Sequence, residues 1–299
     1  MTATLDKPVK APTFRHVSPG RRIRNNLATG VVWLCFLLAL VPLLWVLYTV
    51  IDNGWHAIAS LDWWTKSQKG VLPEQRAGGV YHAIYGTIVQ SAVAAVIAVP
   101  LGIMAAVYLV EYGRGWLAKT TTFMVDILAG VPSIVAALFI FALWIGTFGF
   151  PQSAFAVSLA LVLLMLPVVV RSSEEMLKLV PDELREAAYA LGVPKWKTIV
   201  RIVIPTAAPG MISGMLLAVA RVMGETAPVL VLVGYSKSIN FDLTNGNMAS
   251  LPLLMYQELA NPEPAGRARV WGAALTLILI IALLYLAAAG VNKLLTRNR

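Results

Sequence analysis

Charged residues are scarce in this sequence of 299 residues, where Asp, Glu, Lys and Arg together make up only 13% of the chain. A soluble domain of this size carries about a quarter charged residues. Hydrophobic residues reach 58%, so too little polar surface remains to cover a globule that faces water on all sides. The composition therefore excludes disordered, fibrous and disulfide-scaffold proteins, and it indicates a polytopic membrane protein.

Residues that commonly carry catalysis or bind metals are also few. Cys35 is the single cysteine, which excludes an intramolecular disulfide and disfavours redox chemistry. Gly113–Thr120 lacks the second glycine of a phosphate-binding P-loop, because Ala118 stands in its place. Three scattered histidines predict no metal cluster; they are His16, His56 and His82. We therefore expect neither an enzyme nor a chain that binds ATP or a metal itself.

Long apolar stretches make up most of the chain. A helix needs about 20 predominantly apolar residues to cross a bilayer, and six stretches qualify. They are Ala28–Ile51, Ala83–Val110, Thr121–Thr147, Ala154–Val170, Thr206–Gly234 and Val270–Val291. The first is too long for a signal peptide and lacks a cleavage pattern, so it is predicted to be retained. The sequence thus predicts an all-α membrane protein with six transmembrane helices over residues 28–299, after a flexible basic extension over residues 1–27.

The basic residues indicate the orientation of these spans. Most of the 24 lysines and arginines precede the first stretch, follow the last one, or lie in the loops before the third and fifth stretches. Loops rich in Lys and Arg stay in the cytoplasm. Both termini are therefore predicted to be cytoplasmic, with the chain in the inner (plasma) membrane. The formal net charge of +9 then faces anionic lipid rather than nucleic acid.

The predicted cytoplasmic loop over residues 171–205 is long and patterned. Apolar residues recur at i, i+3, i+4 and i+7 and predict an amphipathic helix; they are Leu184, Ala187, Ala188 and Leu191. Gly192 can supply a left-handed C-terminal position. The same spacing predicts a second short helix that ends at Pro205, formed by Trp196, Ile199, Val200 and Val203. The pattern alone fits either docking into a groove of a partner protein or contact with the lipid interface.

Two ionisable residues lie within the fifth stretch, one helical turn apart. Arg221 and Glu225 should face protein or water, because a charge in the bilayer costs about 2.5–3.5 kcal/mol on insertion scales. Small residues that permit close helix packing precede them on the same face; they are Gly210, Gly214 and Ala218. Two interpretations fit equally well. The pair either neutralises itself and fixes packing, or Arg221 attracts an oxyanion while Glu225 orients the arginine and limits the strength of binding.

A possible hinge lies in the third stretch. Gly130 and Pro132 interrupt helix regularity, and Ser133 can bond a freed carbonyl.

The cytoplasmic loop resembles the EAA loop of ABC-importer permeases. Glu186-Ala187-Ala188, three residues, Gly192, nine residues and Ile202-Val203-Ile204-Pro205 follow that family's spacing, with Ile204 in place of its leucine. The resemblance implies the type I permease fold. It also implies that Glu186, Ala187, Ala188 and Gly192 belong to a coupling helix that seats in a cleft of a separate ATPase subunit.

Three further segments are similar to the permeases of phosphate ABC importers. They are Gly78–Thr87, Asp126–Val135 and Ala220–Pro228, and the likeness runs from about Gly78 to the C-terminus. It implies that Arg221 and Glu225 lie on the path of phosphate. It also implies three partners: a PstC-like permease, a PstB-like ATPase dimer that holds ATP and Mg²⁺, and a PstS-like phosphate-binding protein.

Two alternatives remain open at this point. One is a permease for another oxyanion, sulfate or molybdate. The other is a proton-coupled secondary transporter with Glu225 as the proton carrier, although such a transporter would have no ATPase to dock onto the patterned loop.

Overall fold

The computed structural model describes residues 18–297, and the regular elements in that range are helices. The chain divides into two compact units, Met1–Thr49 and Val50–Arg299. The described part of the first unit is one apolar helix that begins at Pro19, so helix covers the end of the segment for which a flexible extension is predicted. The first 17 residues of that predicted extension lie outside the described residues.

Twelve helices are formed over the described residues. Their bounds are α1 Pro19–Ile58, α2 Leu61–Thr65, α3 Tyr81–Val107, α4 Gly115–Gly130, α5 Ser133–Ile140, α6 Ala154–Lys178, α7 Asp182–Ala190, α8 Lys195–Thr198, α9 Ile204–Met223, α10 Ala227–Leu232, α11 Leu251–Leu259 and α12 Pro264–Arg297. Short π-helical stretches follow α3, α5 and α8. Over residues 18–297, five helical segments are long and apolar enough to cross a membrane, or six if the bent pair α4–α5 counts as one span. The predicted all-α, multi-span fold class is confirmed.

The core of the second unit forms where α3 packs against α6. Small side chains on α3, such as Ala94 and Ala98, are fully buried against the most enclosed helix, α6. A Cβ at Gly102 would lie 2.6 Å from Cγ1 of Val169, so the two backbones approach too closely for any side chain there. Small residues at helix contacts are what dense packing within a membrane requires.

The two ends of this unit can be told apart along α3. Its first turn adjoins α2, where the Val80 amide donates to the Trp63 carbonyl at 2.9 Å and the Trp63 indole N–H donates to Thr276 on α12. We call this the α2 end. The other end of α3 and its π-helical continuation reach α7 through Glu111 and Arg185, and we call this the α7 end.

The predicted bounds of the third and fourth stretches need correction. The third is two helices, α4 and α5, bent by 106°, because Pro132 has no amide to continue α4 and its own backbone is extended (φ −61°, ψ 141°). The fourth continues as α6 to Lys178, eight residues beyond its predicted end. Arg171 is therefore a helix residue rather than the first residue of a loop.

The predicted second amphipathic helix is not a separate element. Lys195–Met223 is one continuous helical segment that passes through Pro205. The stretch Ile199–Val203 is wound as a π-helix, and the Ile204 amide donates to the Ile199 carbonyl. A π-turn shifts the hydrogen-bond register just before the proline, so the ring and its missing donor do not end the helix.

Candidate functional site

The helix that carries Arg221 ends two residues later. α9 stops at Met223, and the amides of Gly224 and Glu225 make short-turn bonds to the carbonyls of Arg221 and Val222, both at 3.2 Å. A new helix, α10, starts at Ala227. The predicted fifth span, Thr206–Gly234, is therefore broken, and the expectation that Arg221 and Glu225 share one helical face is wrong. Arg221 lies in a last helical turn, where the helix dipole favours a cation.

The packing of α9 on α6 sets the depth of this break. A Cβ at Gly214 would collide with Ser172, and one at Gly210 would collide with Met176, so the two helices run antiparallel in close contact. Continuing this register brings Arg221 level with Met165, close to the middle of α6. The small-residue stripe of α9 thus faces the bundle interior, as predicted.

Arg221 and Glu225 differ in exposure. The arginine side chain is 53% exposed and the glutamate 19%, with 4.0 Å between Nε and Oε1. This distance is the outer limit of an ion pair, so Glu225 compensates the guanidinium charge only in part. An exposed guanidinium has N–H donors that suit an anion, and a carboxylate this close would lower the strength of such binding. Broken helices at mid-membrane depth are typical of substrate sites in transport proteins.

The predicted hinge residues lie at the other break in the bundle. Gly130 ends α4, Pro132 caps α5 and Ser133 is its first residue. A Cβ added to Gly130 would meet no atom within 4 Å. Since α5 packs directly against α10, the short helices that follow the two breaks form one layer.

A chain of charges links α4 to α6 on the α7 side of these breaks. Arg171 is bonded to Asp126 on α4 and, at 2.8 Å, to Glu174 on its own helix. Lys178 also binds Glu174, at 2.7 Å. The carboxylate of Glu174 is thus shared by two cations, Arg171 one turn before it and Lys178 one turn after it. The sequence places Asp126 near a membrane interface, but its partner could not be read from it, because 45 residues separate the two.

The α7 helix exposes most of the residues that the sequence singles out. Glu186 and Ala187 face outward, whereas Ala188 is buried. Gly192 adopts the predicted left-handed conformation (φ 74°). Apart from Ala188, the predicted apolar stripe is exposed among the described residues: Leu184 and Ala187 are exposed, and Leu191 is 84% exposed.

A buried ion pair holds α7 against the bundle, and the sequence analysis missed it. Arg185 donates from Nη2 and Nε to Glu111 at 2.9 and 3.1 Å, and their side chains are only 12% and 5% exposed. The same guanidinium donates to the carbonyls of Val180 (2.7 Å) and Leu177 (3.1 Å) at the end of α6. Lys195, at the start of α8, bonds the Glu111 carbonyl. One arginine thus ties α7 to α3 and α6. The signal in the sequence that could have pointed to Arg185 is that it directly precedes Glu186.

These features are those of one class of protein, a membrane permease subunit, here with an exposed short helix at one end and a half-compensated arginine level with the middle of α6. The profile of the family described as "binding-protein-dependent transport system inner membrane component" matches residues 98–298. Solved ABC importers share the fold. A bacterial transporter that imports the acidic polysaccharide alginate has a TM-score of 0.60 at 14% identity, over 91% of this chain and 98% of that one. The MetNI methionine transporter has a TM-score of 0.57 at 19% identity, over 73% and 94%.

Curated relatives narrow the family further. "Phosphate transport system permease protein PstA 1" of Mycobacterium tuberculosis (strain CDC 1551 / Oshkosh) is 68% identical over 99% of this chain and 97% of its own length. The PstA of Yersinia pestis is 39% identical over 90% of each chain. The chain therefore belongs to the PstA family of binding-protein-dependent inner-membrane permeases.

Proposed function

We propose that this chain is the permease subunit of an ATP-driven importer for inorganic phosphate, and that it forms half of the translocation pathway. The half-exposed guanidinium of Arg221, at the break between α9 and α10 and level with the middle of α6, carries this proposal. The names of the PstA relatives support phosphate as the substrate.

Partial compensation suits a conducting site. An anion must be attracted strongly enough to enter and weakly enough to leave. Arg221 supplies the attraction, and Glu225, 4.0 Å away, keeps the anion from being trapped. The breaks at residues 131–132 and 224–226 leave α5 and α10 free to shift as a layer, with Gly130, Pro132 and Ser133 as the hinge.

The exposed side of α7 completes the mechanism. Glu186 and Ala187 face outward for an ATPase subunit, while Arg185 holds the helix to α3 and α6 from the other side. Movement of the ATPase then reaches the bundle through this ion pair. The α7 end and both termini are cytoplasmic. The partners are a PstC-like permease, a PstB-like ATPase dimer that binds ATP and Mg²⁺, and a PstS-like phosphate-binding protein; this chain makes or breaks no covalent bond.

Phosphate uptake into proteoliposomes tests the role of Arg221. Arg221→Gln keeps a polar, hydrogen-bonding side chain but removes its charge, so uptake should be abolished while ATP binding by the assembled complex persists. Arg201→Gln is the matched control, because Arg201 is an exposed residue at the start of the same helical segment, and it should transport normally. Glu225→Gln should bind phosphate more tightly and release it more slowly. Normal phosphate uptake by Arg221→Gln would refute the proposal.

A further inference from the structure

A second group of cations surrounds a cavity at the α2 end of the molecule, the opposite end from α7. The cavity has a volume of about 270 Å³. Its walls come from the last turns of α1, from α2, from the loop before α3 and from the start of α12. The polar residues that line it are Asn53, His56, Ser60, Arg76 and Arg269. Among the described residues, no carboxylate lines it.

Arg269 is the buried member of this group. Nη1 donates to both oxygens of Glu258 at 3.1 and 3.0 Å, and the two side chains are each 7% exposed. Nη2 donates to the backbone carbonyls of Leu72 and Gln75 at 3.2 and 2.6 Å. The remaining donor, Nε, is buried and meets no acceptor among the described residues. A buried N–H without an acceptor is costly, so the fixed guanidinium keeps one unsatisfied donor beside the cavity that Arg269 helps to line.

The other lining groups add positive potential and donors. Arg76 is exposed on the loop before α3, and His56 lies in the last turn of α1. The Ser60 oxygen accepts the Trp63 amide at 3.2 Å, which leaves the hydroxyl proton free to donate. Ala265 and Ala268, in the first turns of the 34-residue helix α12, form another wall, so the positive end of that helix dipole lies at the cavity.

We propose that this cavity binds a phosphate-type oxyanion, at a site separate from Arg221. Side-chain donors from three chain segments, the end of α1, the turn before α2 and the loop before α3, suit a tetrahedral anion, whose oxygens point in several directions, better than a planar carboxylate. At about 30 Å³ per water molecule in the liquid, the cavity has room for a phosphate group and several waters. Glu258 neutralises Arg269, so the net attraction comes from Arg76 and the helix dipole. This balance favours reversible binding.

The anion has two possible sources that share this chemistry. Free phosphate would collect here before it enters the pathway. The phosphate of a phospholipid headgroup would instead bind where α1 ends, beside the exposed Trp55, since tryptophans mark the headgroup level of a membrane.

Phosphate and lipid binding to the purified full complex tests the proposal. All variants are made in the Arg221→Gln background, so that the central pathway contributes no phosphate binding. Equilibrium dialysis with radiolabelled inorganic phosphate measures the first source. Native mass spectrometry after reconstitution in phosphatidylglycerol nanodiscs measures retained phospholipid. The double variant His56→Ala/Arg76→Ala removes two exposed lining side chains, whereas Arg267→Ala removes an exposed arginine of α12 that does not line the cavity.

The double variant should lose about tenfold or more in affinity for one of the two probes, as expected when charge-assisted hydrogen bonds are removed, while Arg267→Ala should match its parent. Loss of phosphate binding identifies free phosphate, and loss of retained lipid identifies a headgroup. Equal binding of both probes by the parent and the double variant overturns the proposal. This result does not depend on uptake by Arg221→Gln, so failure of the central pathway and failure of this site can be distinguished.

Discussion

Replacing Arg185 with alanine should release α7 from the rest of the bundle. The guanidinium makes two bonds to Glu111, one each to the carbonyls of Leu177 and Val180, and one to Asp182 within α7, all between 2.7 and 3.1 Å. Removing one partner of a buried ion pair costs about 3–5 kcal/mol, because the other charge stays buried without compensation. The nine residues of α7 bury only Ala188, so little else holds the helix. The loss should therefore appear as local opening.

Hydrogen–deuterium exchange of the assembled complex measures this opening directly. A loss of about 3 kcal/mol corresponds to exchange about a hundredfold faster at the α7 amides, with the core of α6 unchanged. Arg201→Ala, which removes an exposed arginine, should leave α7 protection as it is. Arg185 and Glu111 should also be energetically coupled. The double variant Glu111→Ala/Arg185→Ala should therefore lose less stability than the sum of the losses in the two single variants. An Arg185→Ala complex whose α7 exchanges within about threefold of wild type would refute the reasoning.

Three further substitutions test the packing and the break. Gly86→Ala should reduce the stability by about 1–3 kcal/mol, because its Cβ would collide with the Ala249 carbonyl. The loss should appear as a lower melting temperature, and an unchanged melting temperature contradicts this close contact. The Cβ added by Gly130→Ala would contact no other atom within 4 Å, so the complex should assemble normally. Phosphate uptake should slow, because alanine stiffens the end of α4. Unchanged uptake argues against a hinge. Burial raises the pKa of the Tyr235 phenol, which stays neutral and donates to Gln68 at 2.7 Å. Tyr235→Phe should therefore cost about 1–3 kcal/mol in thermal unfolding, and no loss would show that the bond contributes nothing.

The membrane class and the α7 helix could be predicted because they rest on local features of the sequence. Apolar stretches of about 20 residues place spans wherever they occur, and five of the six predicted stretches contain or overlap one long helix. Gly192 has the left-handed conformation that its position after α7 predicts, because only glycine adopts it without steric cost. These outcomes need no information about neighbouring helices.

The helix breaks were less predictable, because each depends on competing local signals. Pro132 bends the third stretch by 106°, whereas Pro205 is accommodated within a continuous helix by a π-turn. The two prolines look alike in the sequence. What differs is the local winding: the backbone of Pro132 is extended, whereas the π-turn before Pro205 keeps the helix continuous. No proline lies in the helical turns immediately before the break after Met223.

The sequence by itself determined the membrane class and the number of apolar stretches, because hydropathy acts residue by residue, and it singled out Arg221 as a charge within a predicted span. Only the tertiary structure decided which groups the charged side chains contact. Arg185 meets Glu111 across 74 residues, and Arg269 is held by Glu258 and by the loop before α3. Such pairs form only when distant helices pack, since burial turns a surface charge into one that must be neutralised. The same packing leaves the Arg221 guanidinium half exposed and therefore available to an anion.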